Sequence, residues 1–209
     1  MKKITLFIFA CLLSFTVFSQ TIVNEEIDKL FTSNQKKEYF TALNKFKKLR
    51  DNNASPKAIF QLFDREGVKK NPLLYLVNAE IFKLFDSKLR ENAITYNNWG
   101  ISLLRFSTYI DNFDIYGEEA RKAFTLAERM SYQRGAYNLA CYYSLIKNTK
   151  RVLLWLKFTL EKDYKDKMTK DSVNRLNRDF INNDPDLDFV KNEPEYVAIL
   201  DKYFPLINE

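Results

Sequence analysis

The residues able to do chemistry are notable first for a gap. The chain has no histidine and two cysteines, so the commonest general base and metal ligand is missing. Cys11 falls in an apolar leader, which leaves Cys141 alone, and a single thiol forms neither an internal disulfide nor a cysteine-rich zinc site. With no imidazole to activate it, Cys141 reads as a packed or half-exposed small side chain rather than a nucleophile. Carboxylates are plentiful. Glu118-Glu119 and Asp184-Asp186 are close pairs, and they fall in predicted loops or helix starts, where capping and solubility account for them. Asp184, Asp186, Asp188, Asn192 and Glu195 stand at the ligand offsets of a calcium loop, yet Phe189 occupies the place where the sharp turn needs glycine. The expectation is therefore a helix cap at Asp184 and no metal. No Gly-rich phosphate loop, G-x-S-x-G or H-E-x-x-H occurs. Nothing in the sequence names a catalytic residue or a cofactor.

The elements that must position these residues are helices. The 209 residues are 46% hydrophobic with only 4 Gly and 5 Pro, enough for one core and too few turn formers for a β protein. Residues 1–19 read as a secretory signal peptide: Lys2-Lys3, the apolar run Ile4 to Phe18, and a cleavage site at Val17-Phe18-Ser19. The run is short for a membrane span. Asn34 to Arg50 is an amphipathic helix with Phe40, Leu43, Phe46 and Leu49 inward. Ser55-Pro56, Asn71-Pro72 and Asp184-Pro185 each put a capping residue before a proline at a helix start, and Gly67 ends the helix begun at Pro56. Pro72 to Phe85 is apolar nearly all round, which predicts a buried helix. Ser87 to Asp111 carries Leu89, Ala93, Tyr96, Gly100 and Leu103 at helical spacing, but Asn97-Asn98 and Gly100 weaken its middle, so it reads as one weak helix or as two pieces. A loop, Asp111 to Gly117, precedes Glu118 to Ser131, whose Ala120, Ala123, Phe124 and Ala127 form a small face for close packing. Lys170 to Phe180 places Val173, Leu176 and Phe180 inward, and Asp184 to Lys191 and Pro194 to Phe204 close the chain.

Ala136 to Asp163 organises the rest. It reads as two helices folded back across Lys147-Asn148-Thr149-Lys150. Leu139, Ala140, Tyr143 and Ile146 face Val152, Trp155, Leu156 and Thr159, and small Ala140 lets the axes approach. Asn138-Leu139-Ala140, Tyr143, Val152, Leu156 and Thr159 resemble a tetratricopeptide repeat, with Lys147 where Gly is usual. Asn183 to Asp188 and Pro194-Glu195-Tyr196 resemble the segment that ends groups of such repeats. The resemblance implies an all-α solenoid of antiparallel helical hairpins, a right-handed stack. On this reading residues 20–135 are a helical region with room for diverged repeats, Trp99 to Ala127 being the candidate, and residues 136–209 are the repeat-like hairpin and its helical cap. It also implies a concave groove lined by Tyr137, Cys141 and Ser144.

The functional expectation is an exported, non-catalytic scaffold that binds a protein or peptide at the cell envelope, with no nucleic acid and no transmembrane span in the mature chain. Two rivals stand beside it. One is a structural subunit self-associating through Pro72 to Phe85. The other is a glycan-active enzyme, which requires two carboxylates converging in a cleft. Net charge is +6. Basic runs at Lys36-Lys37, Lys45 to Arg50 and Lys162 to Lys170, near Tyr39, Phe46 and Tyr164, suit anionic envelope components better than nucleic acid in an exported protein.

Overall fold

The computed structural model describes residues 29–55, 58–59, 61–62, 67–89, 92–164 and 176–205. The expected signal peptide, most of the helix expected from Pro56 and the Lys170–Val173 stretch lie outside them. Every regular element among the described residues is helical. In chain order these are α1 (Ser33–Asp51), α2 (Gly67–Lys70), α3 (Leu74–Leu89), α4 (Ala93–Ile110), α5 (Tyr116–Arg129), α6 (Gln133–Leu145), α7 (Thr149–Glu161), α8 (Arg178–Asn182), a 3-10 helix (Pro185–Val190) and α9 (Pro194–Tyr203).

Side-chain caps start most of them. Thr32 and Gln35 form a reciprocal capping box at α1. The side chains of Asn92, Asn148 and Asn177 accept from the first amides of α4, α7 and α8. The three expected Asx/Ser-Pro caps are present: Ser55 Oγ accepts from Ala58 N at 3.3 Å, Asn71 Oδ1 from Leu73 N at 3.3 Å, and Asp184 Oδ1 from Asp186 N at 3.0 Å. Helix ends use the left-handed region without glycine. Asn53, Asp111, Ser131 and Lys147 have φ of 51°, 51°, 65° and 57°. At the α6–α7 turn, Asn148 N donates to Tyr143 O at 2.8 Å and Lys147 N to Ser144 O at 2.9 Å. This is the paired closure of a Schellman motif, with lysine in the glycine position.

Two expectations about glycine are corrected. Gly67 opens α2 rather than ending a helix. Gly100 does not divide its helix: α4 runs unbroken from Ala93 to Ile110, and the break falls before it, at Asn92. Helix propensity loses to packing here, because a Cβ on Gly100 would stand 2.6 Å from the Phe124 ring. Phe40 is also corrected. It is 52% exposed, while Phe46 on the opposite side of α1 is buried at 1%.

Consecutive helices from α3 to α7 pack on one another, and α4 also touches α6. Gln133 at the start of α6 donates to Thr159 O near the end of α7 at 2.8 Å, so these two run antiparallel as expected. Ala140 is fully buried beside Val152 and Leu156. Ala120, Ala123, Phe124 and Ala127 of α5 are also fully buried. Leu73, just before α3, and Val77 and Ile81 on it are 0–1% exposed, so the apolar segment expected to be central is consumed inside the fold. A close main-chain approach lies at Gly135. A Cβ on Gly135 would sit 2.6 Å from Glu128 N and 2.9 Å from Phe124 O, so backbone of α5 rests directly against α6.

Two substitutions separate these effects in a denaturant titration. Gly135→Ala meets main chain that cannot rotate away and is expected to cost roughly 2–3 kcal/mol. Lys147→Gly relieves a left-handed lysine and is expected to stabilise by about 1 kcal/mol.

Candidate functional site

The densest set of titratable groups gathers where the closing segment meets the helices. Tyr137 and Cys141 lie one turn apart on α6. The carboxylate of Asp184 accepts from the Tyr137 hydroxyl at 2.8 Å and from Cys141 Sγ at 3.8 Å. Its other oxygen caps the 3-10 helix. Two residues on, Asp186 accepts from Arg105 Nη1 of α4 at 2.7 Å. The Asp186 side chain is 9% exposed and that of Arg105 40%. A single acidic turn therefore grips α4 and α6 together. Leu187 and Val190 of the same turn are fully buried against Tyr137, Cys141 and Leu153. Tyr196 adds its hydroxyl to Ile181 O and Asn182 Oδ1 at 3.4 and 3.3 Å.

Burial and the neighbouring carboxylates decide the protonation states. Burial, then the charge of Asp184, pushes the Cys141 thiol well above its ordinary value. Burial also raises the Tyr137 phenol, helped by Cys141 and Asp184. The Tyr196 phenol is pushed up to about 12, again mainly by burial. For Arg105, burial alone would lower the value, but the hydrogen bond and charge of Asp186 outweigh it and the net direction is upward. Cys141 is thus a protonated thiol donating to a carboxylate, the reverse of an activated nucleophile. One donor atom from each of Cys141, Asp184 and Asp186 lies within 4.8 Å of the others. Arg105 already supplies the positive charge there. A metal would have to displace that guanidinium.

A second polar junction joins the ends of α5 and α7. Glu128, 7% exposed, pairs with Lys162 and accepts from the Tyr164 hydroxyl at 3.4 Å. Burial first, then the Glu128 charge, raises the Tyr164 phenol.

The three residues expected to line a groove share a face of α6, but that face is not open. Tyr137, Cys141 and Ser144 are 4%, 2% and 1% exposed. The closing segment lies against Tyr137 and Cys141, and Phe180 packs on the Tyr137 ring at 5.5 Å. Ser144 Oγ has no hydrogen-bond partner among the described residues. The helix cap expected at Asp184 is present, while Asp188 turns outward to Lys191 at 2.5 Å and Glu195 is exposed. The Arg105–Asp186 pair was not anticipated. Its signal was a lone charge inside the apolar run Gly100 to Ile110, which demands a partner once that run is buried.

The described residues define an all-helical protein whose C-terminal turn is bolted to two of its helices. No family model, no curated protein and no solved structure matches the chain.

The clamp has a pH signature. The fold holds protons on Tyr137 and Cys141 above their ordinary values of 10.0 and 9.0. Their contribution is complete below those values and is lost as pH climbs past them, because the unfolded chain then releases protons that the fold retains. Melting temperature is expected to hold from neutrality to about pH 9 and then fall, as unfolding free energy drops by up to about 1.4 kcal/mol per pH unit for each retained proton. Tyr137→Phe is expected to lower stability at neutral pH by roughly 1.5 kcal/mol, since it removes a hydrogen bond to a carboxylate, and to flatten the alkaline slope. Thermal melts of both proteins across that range provide the check.

Proposed function

We propose that this chain is an exported, non-catalytic helical scaffold that holds a protein or peptide partner at the cell envelope. The repeat-like reading is supported by the succession of α4–α5 and α6–α7, with α4 meeting α6 through the Asn138 Nδ2 to Asn97 Oδ1 bond of 2.8 Å. The amino-terminal basic and apolar pattern supports export. The chain's own C-terminal turn fills the position where a repeat groove would receive a peptide. The partner is therefore assigned to the outward face of the last hairpin.

One observation carries this assignment. Leu154 and Phe158 lie one turn apart on α7 and are 48% and 45% exposed. Lys150 and Lys157 share their face at helical spacing. Two large apolar side chains at i and i+4, rimmed by ammonium groups, suit an amphipathic segment that presents apolar anchors and carboxylates. The self-associating alternative loses its expected surface, because Leu73 and, on α3, Val77 and Ile81 are consumed in the core. The glycan-active alternative loses its best carboxylate pair, since Asp184 and Asp186 are held by Tyr137 and Arg105.

The test uses the full chain as bait on envelope extract, beside a Leu154→Asp/Phe158→Asp variant whose helical circular dichroism is unchanged. The expected result is a protein retained by the wild type and weakened at least about tenfold by the variant, the loss typical of two anchor residues. Equal retention by both, or retention of nothing by either, would overturn the proposal.

A further inference from the structure

We propose that the outward face of α1 seats the protein on an anionic lipid surface. The inference stands independently of the scaffold reading and uses a different helix. Lys37, Phe40, Thr41, Asn44, Lys47 and Lys48 are all exposed. At 3.6 residues per turn they fall within one sector of the helix, roughly three turns or 15 Å long. The opposite sector is anchored: Phe46 is 1% exposed, and Leu43 and Leu49 pack around it against α3. Orientation is locked at the amino-terminal end, where Asn71 Nδ2 donates to Gln35 O at 2.9 Å and to Glu38 Oε2 at 3.0 Å. That bond holds Glu38 toward α3, off the lysine sector. The remaining carboxylate of α1, Asp51, sits at its end and pairs with Arg50 at 2.9 Å.

The sector is therefore a row of lysines around a half-exposed phenylalanine. Phe40 leans on the Tyr39 ring at 5.1 Å, yet about half of its surface still carries the hydration cost that a polar residue would avoid. At a lipid surface the pattern has a reason. The aromatic ring enters the boundary between headgroups and acyl chains, and lysine stems lie along the apolar surface while their ammonium groups meet anionic headgroups. The lysines are compact, non-directional charges, which match a diffuse field of headgroups rather than the bidentate geometry at which arginine excels. A nucleic-acid strand would call for successive stacking rings, and this sector offers Phe40 alone. No helix among the described residues is long and apolar enough to cross a membrane; α1 would lie on the surface.

The experiment is flotation of the full chain with vesicles of phosphatidylcholine alone or an equal mixture of phosphatidylcholine and phosphatidylglycerol. Neutral vesicles report whatever the apolar amino terminus contributes. The expected result is at least about tenfold stronger partition onto the anionic vesicles, abolished by high salt. Lys37→Gln/Lys47→Gln/Lys48→Gln should remove that excess, and Phe40→Ala should weaken binding several-fold, with helical circular dichroism unchanged in both. No preference for anionic vesicles, or a preference that the triple variant keeps, would overturn the proposal. Tighter binding to a single-stranded oligonucleotide than to the anionic vesicles, lost in the same variant, would overturn it in favour of a nucleic-acid surface.

Discussion

The rest of the structure depends on α6 having almost no side facing water. Gly135, Ala136, Tyr137, Leu139, Ala140, Cys141, Tyr142 and Ser144 are all buried. α5 approaches one side so closely that Gly135 rests on its backbone, α7 folds back along another, α4 meets a third through Asn97, and the 3-10 turn covers Tyr137 and Cys141. A helix enclosed in this way cannot be shifted without disturbing several interfaces at once, since packed interiors transmit strain rather than absorb it.

Enclosure also explains the chemistry of the polar clamp. A phenol, a thiol and two carboxylates brought together away from water would be costly unless every charge had a partner. Each has one. Asp184 takes hydrogens from Tyr137, Cys141 and a backbone amide, and Asp186 takes the Arg105 guanidinium. In the sequence the same residues read as a helix cap and a small helical side chain. Their protonation states, with the thiol and phenol both holding their protons, favour a fastening. It joins the end of the chain to its middle, 81 residues apart between Arg105 and Asp186.

Much of the helical order was legible because it rests on local rules. The cap residues before Pro56, Pro72 and Pro185 act on amides two or three positions away. The small face of α5 and the hairpin built on Ala140 follow helical periodicity, which a sequence displays directly. What misled was also local. Gly100 lowers helix propensity, and only the Phe124 ring pressed against it explains why α4 continues. Phe40 fits an apolar stripe as well as Phe46 does, and nothing nearby in the chain says that α3 covers one and not the other.

By itself, the amino-acid sequence determined that the described chain is helical, where most helices begin and end, and that Cys141 has no histidine beside it. These follow from residue type and spacing within a few positions. Tertiary structure decided that the face of Tyr137, Cys141 and Ser144 is closed, that Arg105 and Asp186 meet, and that Leu154, Phe158 and Phe40 face outward. Each of those facts depends on contacts between segments tens of residues apart. Periodicity reports that a face is apolar, but only the packed neighbours determine whether it is covered.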